Sequence, residues 1–295
     1  MKTLLLLLTL AQATTPRPPV RSFLCVADRD GKNERVIYQS DKHFEAPNWS
    51  PDGRWIVFNS AGSLYRLPAA GKAEPERIDT GDVKNINNDH GLTRDGKWIA
   101  ISAGPVYVLP FAGGTPKRLT EKTPSYFHGW APDNRTLAYC ARRNDNFDLY
   151  AITTEGGEEK RLTTHPGYDD GPDYTPDGRW IWFNSDRAGT WDLWRIPATG
   201  AGENDKLAER ITSDEREDWF PHPSPNGQWI VYLSFEKGTK GHPANQQVQL
   251  KLMHTRSRQG RVIKELFGGQ GTINVNSWSP DSKRFAYVRY ELLKP

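Results

Sequence analysis

The sequence predicts an all-β fold, a six-bladed β-propeller of four-stranded blades, and three observations carry that expectation. One turn phrase recurs six times at the period of a blade, the stretches between copies alternate as strands, and the strands balance only if both chain ends share a blade. The composition agrees. In 295 residues there are 11 Trp, 11 Tyr and 11 Phe beside 26 Gly and 22 Pro, a mixture suited to short strands and tight turns. With 36% hydrophobic and 25% charged residues there is material for a core. The net charge of +3 is spread without a Lys/Arg block, so nucleic acid is excluded as a partner and no anionic membrane surface is implied. Cys25 and Cys140 lie in apolar strand-like stretches and read as buried free thiols rather than a disulfide or zinc framework.

Taken in order, the first element is an address. Met1-Lys2 supplies positive charge, Leu4 to Leu10 an apolar run, and Ala11-Gln12-Ala13 a small-x-small cleavage pattern, so residues 1–13 read as a signal peptide and 14–21 as a Thr/Pro-rich linker. This implies a periplasmic or secreted protein. The run falls short of the roughly 20 residues that span a bilayer, and no later stretch reaches that length, so no integral membrane segment is expected.

Residues 22–295 read as the propeller. The phrase appears as Trp49 to Ile56, Leu92 to Ile99, Trp130 to Leu137, Tyr174 to Ile181, Pro223 to Ile230 and Trp278 to Phe285, typified by Trp49-Ser-Pro-Asp-Gly-Arg-Trp-Ile56. Its anchors Asp52, Asp95, Asp133, Asp177, Asn226 and Asp281 are 43, 38, 44, 49 and 55 residues apart. Pro-Asp-Gly is turn chemistry, so each phrase joins an inner strand a to a strand b, and the anchors read as turn formers. Strand c follows at Leu64 to Leu67, Val106 to Leu109, Asp148 to Ile152, Asp192 to Ile196 and Val248 to Leu252, and a Gly-bearing turn leads to strand d, as at Lys117 to Thr120. Asp148 and Asp192 read as structural. Six a–b hairpins meet only five c–d hairpins, and Phe23 to Val26 with Arg35 to Tyr38 supply the missing pair, closing the ring.

The Ser-Pro-Asp-Gly-x-Trp-Ile phrase, followed by Leu-Tyr/Trp and Lys/Glu-Arg-Leu/Ile-Thr, resembles the repeats of TolB-type propellers over about nine-tenths of the chain. The resemblance implies a periplasmic protein-interaction scaffold, read here without the smaller α/β domain that precedes the propeller in the family's namesake. Similar propellers precede the hydrolase domain of prolyl-oligopeptidase-like enzymes, but the sequence holds no Gly-x-Ser-x-Gly nucleophile elbow, which excludes a serine peptidase.

Since the a–b turns occupy one face, the d–a connections and b–c loops occupy the other, and the unusual residues are expected there. Five positions before each anchor stand Pro47, His90, His128, Pro172, Pro221 and Asn276, with His222 one residue later in its copy. The connections add Asn87-Asn88-Asp89, Asp169-Asp170 and Gln270, and the long loop Phe235 to Gln247 adds His242. Arg142 and Arg187 fall in b–c loops of the same face, where solvated loop charge is the plain alternative to anion binding. Asp169 and Asp170 have turn capping or a structural ion as alternatives, and His43, His165 and His254 read as structural.

Two functions follow. One is an exported binding module whose axial pocket captures a small molecule, an oligosaccharide or a peptide or protein segment, with Asp169, Asp170, Asn276, Arg142 and Arg187 as ligand-binding residues. The other is a metal-dependent carbohydrate-active enzyme. It is similar in residue types to the oligogalacturonate lyases, which implies a divalent metal (Mn, Zn or Ca) on His90, His128, His222 and Gln270, and β-elimination with His242 as the base.

Overall fold

The computed structural model describes residues 19 to 293. The expected signal peptide and residues 14 to 18 of the expected linker lie outside them, and the first strand begins at Val20, two residues inside the linker's expected end. Among the described residues six antiparallel sheets form a ring, with helix confined to two short 3-10 turns, Glu203–Asp205 and Gln270–Thr272. Named a to d outward from the axis, blade 1 is Glu45–Trp49, Trp55–Ser60, Ser63–Pro68 and Glu76–Arg77; blade 2 is His90–Leu92, Trp98–Ser102, Val106–Pro110 and Lys117–Arg118. Blade 3 is Ser125–Trp130, Thr136–Arg143, Asn146–Thr153 and Lys160–Arg161; blade 4 is Asp169–Tyr174, Trp180–Ser185, Asp192–Pro197 and Glu209–Arg210. Blade 5 is Glu217–Pro223, Trp229–Phe235, Ala244–His254 and Gly260–Gly269.

Blade 6 is built from both ends of the chain. Val20–Asp28 pairs with Arg284–Leu292 from Val20 opposite Leu292 to Asp28 opposite Arg284, Arg35–Ser40 forms the outer strand, and a Trp278–Phe285 bridge stands for strand a. Packing ties this blade to both neighbours. Leu24, Val26 and Val288 share a core with Phe44, Ile56 and Phe58 of the blade 1 side, while Phe23, Cys25 and Tyr287 share one with Trp219, Val231 and Leu250 of blade 5. Both cysteines are free and buried, and burial pushes the Cys25 thiol up to about 12.

The repeated turn has one hydrogen-bond plan in all six copies. The anchor accepts from the backbone N–H two residues on, as in Arg54 N to Asp52 Oδ1 at 3.0 Å and Gln228 N to Asn226 Oδ1 at 3.0 Å, and in five copies also from the Ser or Thr two residues before it. The next residue takes positive φ, Gly53 at 76° among them, which is why glycine holds four of the six places. The outer strands are tied similarly. Asp148 and Asp192 receive Arg161 and Arg210 at 2.7 Å, and Thr163 and Thr212 accept from Leu149 N and Leu193 N, so these aspartates are structural as expected.

Candidate functional site

The repeats build three tiers around the axis, one drawn from all six blades and two from five blades each. Three positions before the anchors stand Trp49, Leu92, Trp130, Tyr174, Pro223 and Trp278, and all six line a cavity of about 310 Å³ opening on the face of the a–b turns. One position before the anchors, Pro51, Arg94, Pro176, Pro225 and Pro280 form its rim. Asn48, His90, His128, Asp173 and Asn276 form its floor. The indole N–H groups are spent inside the fold, with Trp49 donating to Gly53 O at 3.1 Å, Trp130 to Gly91 O at 2.8 Å and Trp278 to His222 O at 3.0 Å. The walls therefore present ring surface rather than polar handles.

The floor follows a rule that the sequence pattern concealed. In blades 1, 4 and 5 the residue before the proline has positive φ, Ala46 at 57°, Gly171 at 64° and Phe220 at 54°, and the ladder to strand b is irregular at that point. Each bulge moves the inward position on by one residue, to Asn48, Asp173 and His222. Together with His90, His128 and Asn276 they give each blade one inner polar residue. Asn276 Nδ2 donates to Asp173 Oδ2 at 2.9 Å, His222 Nδ1 lies 3.1 Å from the same oxygen, and Asn48 Nδ2 donates to Asn276 O at 2.7 Å. A bulky residue at positive φ is strained, so Phe220 marks a place where the surrounding structure fixes the backbone.

His90 is the exception in this ring. Fully buried, it has no hydrogen-bond partner on either nitrogen, and burial pulls it down to about 3. The folded state thus excludes a proton that the unfolded chain accepts near 6.5, so stability falls as pH drops from 6.5 toward 3, by about 2 kcal/mol at pH 5. Replacing His90 by Leu removes both the orphaned polar atoms and this acid penalty. The expected result in urea unfolding is a gain of about 1–3 kcal/mol at neutral pH that widens at pH 5. Equal stability of the two proteins at pH 5 contradicts this reading of His90.

A second cavity, of about 210 Å³, opens on the opposite face. Asp89, Asp170, His242, Gln270 and Asn274 line it together with Tyr126, Phe147 and Tyr168, and His128 borders both cavities. His128 Nε2 sits 3.1 Å from Asp170 Oδ1 and 3.9 Å from Asp89 Oδ1. Burial opposes charge on this imidazole, but the hydrogen bond and charge of Asp170, with Asp89 and Asp173 adding to them, hold it above the ordinary histidine value. Asp170 is held below the usual carboxylate range by His128 in spite of its burial, whereas burial dominates at Asp89 and raises it.

The expected site residues thus divide into three groups. Asp170, Asn276, His90 and His128 line the channel, and His242 and Gln270 line its second mouth. Asp169 and Arg187 do not reach a ligand surface: both are buried, and Arg187 Nη2 meets the Asp169 carboxylate at 2.7 and 2.8 Å and Asp205 at 3.2 Å. Arg142 is exposed and pairs with the neighbouring loop residue Asp145, at 3.2 Å. The four residues expected to hold a divalent metal do not form one ligand set. His222 has both nitrogens engaged, by Asp173 and by Ile273 O at 2.6 Å, His128 is held by Asp170, and Gln270 lies at the other mouth from His90. Among the described residues no group of three or more His, Cys, Asp or Glu is placed to hold a metal ion.

Sequence reasoning missed the aromatic tier, Asp173 and Asn274. The signal for the tier was present, since the residue three positions before a turn anchor, aromatic in four of the six copies, has to form a ring about the axis.

Residues 102–265, more than half of the chain, match the TolB beta propeller domain. A solved TolB-like structure from Agrobacterium tumefaciens is 44% identical, with a TM-score of 0.88 over 93% of this chain and 99% of that one. The Tol-Pal system protein TolB of Francisella tularensis is 29% identical over 276 residues, 87% of this chain and 59% of that protein, so this chain spans about three-fifths of that relative. An oligogalacturonate lyase in complex with manganese has a TM-score of 0.54 at 13% identity, over 84% of this chain and 74% of that one, a likeness of fold alone.

Proposed function

The chain belongs to the TolB β-propeller family, and from that premise we propose that it is an exported binding protein whose axial cup, on the face of the a–b turns, seats a segment of a protein partner. The observation that carries this reading is the cup itself, with a wall residue from each of the six blades, four of them aromatic, above a polar floor. A stiff closed ring pre-organises such a pocket, so little binding energy is lost to ordering it. The name of the Tol-Pal relative favours a protein over an oligosaccharide as partner, and the signal-like residues 1 to 13 supply the motive for export. Among the described residues no helix is long and apolar enough to cross a membrane.

The test is selection of binders from a random peptide library displayed on phage, followed by titration of the selected peptide. Leu92→Trp puts into blade 2 the residue that three other blades carry at this place, which narrows the cup without asking the fold for a new solution. It is expected to weaken the peptide at least tenfold, about 1.4 kcal/mol. Tyr168→Ala at the opposite mouth is expected to leave the peptide's affinity unchanged. A peptide that loses its affinity in Tyr168→Ala and keeps it in Leu92→Trp overturns the proposal.

A further inference from the structure

The rim of the cup departs from its repeat at one place. Five blades carry proline just before the anchor, and blade 2 carries Arg94. Arg94 lies exposed on the rim and its guanidinium reaches to the turn of blade 4, donating from Nη1 to Pro176 O at 2.9 Å and from Nη2 to Thr175 O at 3.2 Å. Both acceptors are neutral carbonyls. Two other arginines of the repeated turns are neutralised locally, Arg54 by Asp52 and Arg179 by Asp177, each at 2.6 Å. Arg94 has no such partner among the described residues, and Asp173 and Asp177 act on it only through space. A guanidinium carries five N–H donors in a fixed fork that matches a carboxylate, so the two carbonyl bonds pin it over the cup and leave donors over.

Beneath it stand the indoles of Trp49, Trp130 and Trp278, and the floor holds His90, a buried imidazole with a free donor and a free acceptor. The cavity lies at the small end of ligand pockets, which suits one large side chain and its adjoining backbone rather than a long segment. We propose that the cup selects a peptide in which a carboxylate adjoins an aromatic side chain, the ring seated among the indoles and the carboxylate paired with Arg94. This rests on the cup being the binding site and adds the chemistry that it recognises. Two N–H···O bonds to a charged acceptor are stronger than bonds to neutral carbonyls, so the ligand gains by taking the guanidinium's remaining donors or by replacing its hold on blade 4.

The experiment is a tryptophan-fluorescence titration of the full chain with three peptides that lack tryptophan. They are acetyl-Gly-Gly-Phe with a free C-terminus, the same peptide amidated, and acetyl-Gly-Glu-Phe-amide. The variants are Arg94→Pro, which restores the residue of the other five blades and so keeps the turn, and Arg94→Lys. At least one carboxylate peptide is expected to bind the parent tenfold or more tighter than the neutral amide, and whichever does names the source as a chain terminus or an acidic side chain. Arg94→Pro is expected to remove that advantage and leave the amide unchanged, with Arg94→Lys between the two. Equal binding of all three peptides to the parent, or an advantage that survives Arg94→Pro, overturns the carboxylate assignment while the cup stands. Binding of none of the peptides overturns the cup reading as well.

Discussion

Deleting Val20 to Ser40 is expected to abolish cooperative folding, leaving a protein that aggregates on size exclusion and melts without a defined thermal transition. The deletion removes strands c and d of blade 6, so Arg284–Leu292 loses its partner along its whole length and becomes a free edge. It also takes Phe23, Leu24, Cys25 and Val26 from the cores shared with blades 1 and 5, opening both sides of the ring. A milder version of the same test is Leu24→Ala. Leu24 has no exposed surface, and its truncation is expected to cost about 2–5 kcal/mol. A deletion protein that melts like the parent would show that the two chain ends do not close the ring.

The second large effect is expected at the His128–Asp170 pair. Both groups are buried at the centre of the ring, and removing one partner of a buried ion pair strands the other, at about 3–5 kcal/mol. Asp170→Leu is therefore expected to lose that much stability, while Asp170→Leu with His128→Leu recovers most of it, because neither charge is then left without its counterpart. The pH dependence has a definite sign on each side. Asp170 is held below its unfolded value, so its contribution is present above about pH 4 and lost as pH falls through the depressed value. His128 is held above its unfolded value, so its contribution is complete below about 6.5 and lost as pH rises through the raised value. The gap between parent and Asp170→Leu in urea unfolding should be widest between about pH 4 and 6.5 and close on both sides. A gap independent of pH would mean that the pair is not ionised in the folded protein.

The ring was legible because its evidence is countable. Six copies of one turn phrase and five c–d hairpins leave a single way to place Phe23 to Val26 and Arg35 to Tyr38, and both strands stand where the count puts them. The channel was half legible. Register from the anchors placed His90, His128 and Asn276 inside, but in blades 1, 4 and 5 it pointed at prolines, because bulges at Ala46, Gly171 and Phe220 shift the strand, and positive φ at Ala46 and Phe220 is announced by no residue preference. The aromatic tier was hidden by its own regularity, since residues that recur with a turn read as part of the turn. Asp169 and Arg187 misled for the opposite reason. Each is a charged residue in or beside a loop of the expected ligand face, and only the structure shows them satisfying one another beneath it.

The partner segment is expected to sit in the cup of the a–b turns. Fluorine NMR of the chain labelled with 5-fluorotryptophan tests it most directly, using the display-selected peptide as ligand and single Trp→Phe replacements to assign the 11 signals. Trp49, Trp130 and Trp278 are expected to shift on saturation while Trp191 and Trp219, which pack against Tyr168 and His242 beside the other mouth, do not. Shifts at Trp191 and Trp219 with the three cup signals unmoved would contradict it.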